Sequence, residues 1–131
     1  MNTAPELYRF SQQHHVNFNV KETKGTELFE RFTQAFPKTN FTFSFIGFHK
    51  YENFRKTEGL TAYGISGNLL YALSRKEAYR YNLYRCKNFS GKKKLNGIKL
   101  QLDFENESLM IDLGFADGDL VLAALKQSAK K

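Results

Sequence analysis

Between Ile98 and Leu113 apolar side chains fall on alternate positions: Ile98, Leu100, Leu102 and Phe104, then, beyond the polar Glu105-Asn106-Glu107, Leu109, Ile111 and Leu113. Period two is the repeat of a β-strand with one wet and one buried face, and a slip of one residue would turn the whole apolar set to water. Two such runs joined by a short polar turn dictate an antiparallel hairpin. A lone hairpin cannot bury its apolar face, so the rest of the chain must supply more sheet to cover it.

Further strands are legible upstream. Phe41, Phe43 and Phe45 alternate with Thr42 and Ser44, and Gly47 marks a bend or bulge. Residues 60–65 and 68–74 read as two strands joined at Ser66-Gly67-Asn68, a set that tolerates the left-handed backbone of tight turns. Tyr79, Tyr81 and either Leu83 or Tyr84 mark a strand-like run over 78–84, and Val16, Phe18 and Val20 share one face of an expected first strand over 15–20. The polar stretch 51–58 reads as a loop or an extended strand end.

Two helices are expected. Thr26 as N-cap, Glu27 near the positive helix end, and Leu28, Phe29, Phe32, Ala35 and Phe36 at helical spacing predict a helix over about 26–36, which Pro37 ends. A helix over about 117–127 closes the chain, with acids at its start, Leu120, Val121, Ala124 and Leu125 as its packing stripe, and Lys126, Lys130 and Lys131 at or beyond its end. The expected class is therefore α+β and mainly antiparallel: a small barrel or two packed bent sheets of about seven strands, one internal helix and a C-terminal capping helix.

A chain of 131 residues matches one core rather than two, so a single domain over 1–131 is expected. Thirteen Phe and seven Tyr are too many large apolar side chains for a disordered tail. The start Met1-Asn2-Thr3-Ala4-Pro5-Glu6 has neither region of a secretory signal, and no run nears the roughly 20 apolar residues of a membrane span. The lone Cys86 forms no internal disulfide, which suits a reduced compartment; a cytoplasmic location is expected.

Charge is polarised along the chain. From Arg75 to Lys99 nine basic residues face one acid, Glu77; with +7 for the whole protein, the remainder is close to neutral. From Leu100 to Leu125 there are six acids and no Lys or Arg.

The run Ala62-Tyr63-Gly64-Ile65-Ser66-Gly67-Asn68-Leu69-Leu70-Tyr71-Ala72-Leu73 precedes a polar strand, a basic turn, the strand start Gly97-Ile98-Lys99-Leu100, the strand at 109–113 and the closing helix. Over about residues 59–125 this order resembles the pleckstrin-homology-like domains of bacterial and phage proteins. The resemblance implies two near-orthogonal antiparallel sheets capped at one end by the C-terminal helix, with residues 41–127 as the core and 1–40 as an N-terminal elaboration. It also implies a protein-interaction role, by analogy that of a phage or mobile-element accessory factor acting on a host protein. Phosphoinositide-binding members of the family hold the head group with basic residues in an early strand-to-strand loop. No such motif is placed here, and that activity is not carried over.

Nothing in the sequence spells out catalysis. No glycine pattern matches a phosphate-cradling loop, and His14, His15, His49 and Cys86 lack the short spacing of a zinc site, so no metal or cofactor is expected and the histidines read as exposed strand-edge or loop residues. Cys86 reads as a buried or half-buried thiol, although Arg85 and Lys87 would lower its pKa if it were exposed. The acids from Asp103 to Asp119 read as a solvated face.

The remaining candidate is the basic strip: Arg75, Lys76, Arg80, Arg85, Lys87, Lys92, Lys93, Lys94 and Lys99, interleaved with Tyr81 and Phe89. One reading is an ordinary solvated strand face with a lysine-rich hairpin tip guarding a sheet edge. The functional readings are an interaction module that docks an acidic or extended protein partner, and, as the alternative, a basic barrel that grips single-stranded nucleic acid through phosphate contacts and stacking on Tyr81 or Phe89. A membrane surface fits less well, because no basic amphipathic helix accompanies the strip.

Overall fold

The computed structural model describes residues 1–131. The elements run α1 (Ala4–Gln13), α2 (Glu22–Ala35), β1 (Phe43–His49), β2 (Leu60–Ser66), β3 (Leu69–Leu73), β4 (Ala78–Asn82), β5 (Asn88–Lys94), β6 (Gly97–Asp103), β7 (Ser108–Gly114) and α3 (Gly118–Ser128), with one 3-10 turn at Leu83–Arg85. All seven strands form one antiparallel sheet in the order β4-β3-β2-β1-β7-β6-β5. The α+β, strand-dominated class is as the alternation predicts. In the β6–β7 hairpin Leu100 lies opposite Ile111 and Leu102 opposite Leu109. The β2–β3 turn uses Gly67 at φ 58°, a left-handed backbone that glycine adopts without a Cβ penalty.

Two apolar cores sit on opposite faces of the sheet. The inner one joins Phe45, Tyr63, Leu70 and Tyr81 of the β1–β4 half to Leu100, Leu102 and Ile111 of the β5–β7 half, with Val121 and Leu125 of α3. One continuous cluster from both halves requires the sheet to bend back on itself, and α3 packs against β5 and β6. The outer core lies where α1 and α2 cover β1–β3: Leu7 and Tyr8 of α1, Phe29 and Phe32 of α2, Ile46, Ala62 and Tyr71 of the sheet. β1 is thus buried on both faces. Its outward Ser44 is satisfied by donating to the Leu7 carbonyl at 2.6 Å, which ties α1 to the sheet.

The N-terminal 40 residues depart most from expectation. Residues 15–20 are not a strand: His15, Phe18 and Asn19 have φ near +55°, in the left-handed region that a strand cannot use. Their apolar side chains serve different places, Val16 the inner core, Val20 the outer core, and Phe18 a surface stack on Phe48 at 4.9 Å. The unexpected α1 begins at Thr3, whose hydroxyl oxygen accepts from the Glu6 amide and donates to the Glu6 carboxylate, with Pro5 in the first turn. α2 starts four residues before Thr26. Gly25 lies inside it because a Cβ there would come within 2.2 Å of the Tyr8 ring, so the glycine is where the two helices touch.

β5 also differs. Ser90 to Lys94, expected as part of a basic turn, belongs to β5, whose register pairs Lys92 with Lys99 and Lys94 with Gly97. The turn is only Leu95-Asn96, with Leu95 fully exposed. No helix is long and apolar enough to cross a membrane.

Candidate functional site

The inner core contains one polar island. His49, at the end of β1 and wholly buried, has Nδ1 2.7 Å from the Tyr63 hydroxyl and Nε2 2.9 Å from the Tyr81 hydroxyl. A neutral imidazole has one donor and one acceptor nitrogen, so one tyrosine donates to the ring and the other accepts from it. Burial, helped by the Lys50 charge and opposed by Glu58, lowers the His49 pKa to about 4. The Tyr79 ring sits 4.6 Å from the imidazole, and its hydroxyl donates to Glu58 at 2.7 Å. Burial would raise the Glu58 carboxyl, but the bonds from Tyr79 and Ser74 outweigh it and hold the group below its ordinary range. His49 is therefore a structural residue satisfied on both nitrogens, not the exposed loop or edge residue expected of it.

Glu58 links this island to a basic basin at the surface. Lys50 leaves β1 in a left-handed conformation, and the following loop is held by Asn53, whose side chain accepts from the Arg55 and Lys56 amides. That turn displays Phe54, 74% exposed, beside Arg55 and Lys56. In the β3–β4 turn the Ser74 oxygen accepts from the Lys76 and Glu77 amides while its hydroxyl donates to Glu58. Arg75 reaches the Thr57 carbonyl at 3.5 Å. The two loops enclose an open hollow of about 390 Å³ with five cations, Lys50, Arg55, Lys56, Arg75 and Lys76, two carboxylates and no apolar lining residue. Glu58 is already engaged inward, and Lys50 approaches it only to 3.9 Å.

The fold scatters the basic strip instead of presenting it as one face. Arg75 and Lys76 join the basin. Arg80 lies on the outer face of β4, over the Phe36 and Tyr71 rings. Arg85 and Lys87 border a cleft of about 710 Å³ between β4 and the β6–β7 turn. Lys92, Lys94 and Lys99 line the outer face of β5–β6, where Lys94 pairs with Asp112 and both Lys94 and Lys99 lie over the Tyr51 ring. Lys93 pairs with Asp119 of α3 at 3.2 Å. Tyr81 is 7% exposed and Phe89 packs partly buried against the inner core, so neither ring offers the stacking surface expected of it. Asp112 is likewise buried against Lys94 rather than part of a solvated face.

Cys86 lines the β4-side cleft, and burial raises its thiol above the ordinary value, the opposite of activation by Arg85 and Lys87. Three of the basin's cations, Lys50, Arg55 and Lys56, carry no local signal that links them to Arg75 and Lys76: they sit in a loop 19 to 26 residues upstream and meet them only through the β2–β3 hairpin. Comparison with protein-family models and with curated proteins finds no match for this chain.

Proposed function

We propose that this chain is a non-enzymatic interaction module, of the pleckstrin-homology-like kind its sequence resembles, and that it docks an acidic protein partner in the basin between the β1–β2 loop and the β3–β4 turn. The observation that carries this reading is the convergence of Lys50, Arg55, Lys56, Arg75 and Lys76 on one polar hollow, with a 74% exposed Phe54 stacked under the Arg55 guanidinium in the same loop. The five cations outnumber the hollow's two carboxylates and attract an acidic surface over a Debye length of roughly 8 to 10 Å, and the exposed Phe54 supplies the apolar anchor that protein interfaces favour. One seven-stranded sheet bent over a shared core, with a C-terminal helix against β5 and β6, supports that kinship in outline.

Single-stranded nucleic acid is the second reading, kept by Lys94 and Lys99 over the Tyr51 ring and Lys92 opposite Lys99 on the outer sheet face. Fluorescence anisotropy with a labelled ten-residue polyglutamate peptide and a labelled single-stranded DNA of similar charge, each at low and physiological salt, separates the two. The basin reading expects peptide binding that weakens at least tenfold in the double variant Arg55→Glu/Lys56→Glu and at least threefold in Phe54→Ser. Peptide binding untouched by those changes overturns it. DNA binding that instead collapses in Lys92→Glu/Lys99→Glu moves the function to the outer sheet face, and anionic vesicles added as competitor show whether a lipid surface takes the same basin.

A further inference from the structure

The edge strand β4 carries unused main-chain hydrogen-bonding groups beside a cleft. In the β3–β4 ladder the Ser74 amide donates to the Glu77 carbonyl at 3.0 Å, and the Leu83 amide donates to the Asn68 carbonyl at 2.8 Å. Bonds in an antiparallel ladder fall on every second residue, so with Tyr79 opposite Ala72 and Tyr81 opposite Leu70 the odd-numbered residues face β3. The amides and carbonyls of Ala78, Arg80 and Asn82 therefore point away from it, toward the sheet's open end, where no strand lies.

A cleft of about 710 Å³ adjoins this edge: Arg80 and Asn82 stand on one wall, Arg85 and Lys87 border it, and Glu105 and Glu107 stand opposite. None of these lining residues belongs to the basin, and none of the three cations has a carboxylate within 4 Å.

We infer that this cleft takes an extended segment of a partner protein, added as an eighth strand antiparallel to β4. A five-residue edge spans about 17 Å, so the segment is about five residues long. Donors and acceptors alternating on Ala78, Arg80 and Asn82 match a peptide main chain, whereas a sugar-phosphate backbone offers acceptors to the amides but no matching series of donors to the carbonyls. A second copy of the chain is disfavoured. Its other free edge, β5, would set Lys92, Lys93 and Lys94 against Arg80 and Arg85, and like charges facing across strands repel. Arg80, Arg85 and Lys87 select an acidic residue in the segment, while Glu105 and Glu107 reject a long acidic tract. The occupant is thus a β-prone peptide with one or two acids among neutral residues.

The test is selection of linear seven-residue peptides from a random display library on the folded protein, followed by titration of the winners into isotopically labelled protein. Enriched peptides are expected to carry a Glu or Asp among β-branched residues and to shift and protect the amides of Ala78, Arg80 and Asn82. Methylation of alternate peptide nitrogens on the pairing face should weaken binding at least tenfold. Asn82→Pro removes the edge donor at a φ of −82°, close to proline's own, and should weaken binding at least tenfold relative to Asn82→Ala, which keeps the amide. Arg85→Glu should weaken it at least fivefold, and the exposed α2 change Lys24→Glu should leave it unchanged. No enrichment, winners without an acid, or winners indifferent to nitrogen methylation would each overturn the inference. Shifts confined to Lys50–Lys56 would overturn it while leaving the basin reading intact.

Discussion

The Nδ1 nitrogen of His49 lies 2.7 Å from the hydroxyl of Tyr63, deep in a core otherwise built from apolar side chains. With Tyr81 on the other nitrogen, a neutral imidazole donates to one hydroxyl and accepts from the other; protonation would put a positive charge into the core and remove the acceptor that one tyrosine proton uses.

The first prediction concerns acid. The folded pKa of about 4 lies below the unfolded value of 6.5, so the unfolded chain binds the proton more readily and stability falls as pH drops through that window. Between pH 7 and pH 5, above most carboxylate titration, the loss from this one group is about 2 kcal/mol. Urea unfolding at the two pH values measures it. His49→Gln, which does not titrate, should flatten most of the slope, and an equal slope in both proteins would assign the effect elsewhere.

Gly25→Ala is predicted to reverse a general rule. In an exposed helix interior the change stabilises by up to about 1 kcal/mol, but here the new Cβ would meet the Tyr8 ring, and overpacking costs about 1 to 3 kcal/mol. Thermal unfolding should show destabilisation, and Tyr8→Leu combined with Gly25→Ala should recover part of it. Additive losses in the double variant would mean that the two residues do not collide.

Lys92 and Lys99 lie directly opposite each other on neighbouring strands, an arrangement of like charges that destabilises a sheet. Lys92→Glu should therefore raise stability by about 0.5 kcal/mol, with the gain shrinking as salt is added. A loss of stability at low salt would show that Lys92 has a stabilising partner other than those seen on this face.

Much of the sheet was legible because its signals are local. The alternation of 98–113, the Gly67 turn and the Pro37 stop each act within a few residues, and the structure places strands and a helix end where they point. α1 was not expected: its only local signal is the cap of Thr3, Pro5 and Glu6, ahead of a stretch of mixed polarity. Nor was β5. Asn88-Phe89-Ser90-Gly91-Lys92-Lys93-Lys94 has no apolar alternation, since every residue of this edge strand but Phe89 is exposed, and its identity comes from the ladder β6 offers it.

The candidate sites divide in the same way. Residue types and charge runs are properties of the chain, so a basic, aromatic-rich domain with no spelled-out catalytic motif could be read directly. Which cations meet is a property of strand order: the basin needs the β1–β2 loop beside the β3–β4 turn, and the cleft needs β4 left as an edge. Inward or outward direction is likewise settled by register and by what covers each face, which is why Tyr81, expected as a stacking surface, and His49, expected at an edge or loop, end in the core. The period, the turns and the inventory of charges are local properties of the chain. Which of them share a surface follows from the folded arrangement, because burial and long-range pairing act between residues that local patterns never bring together.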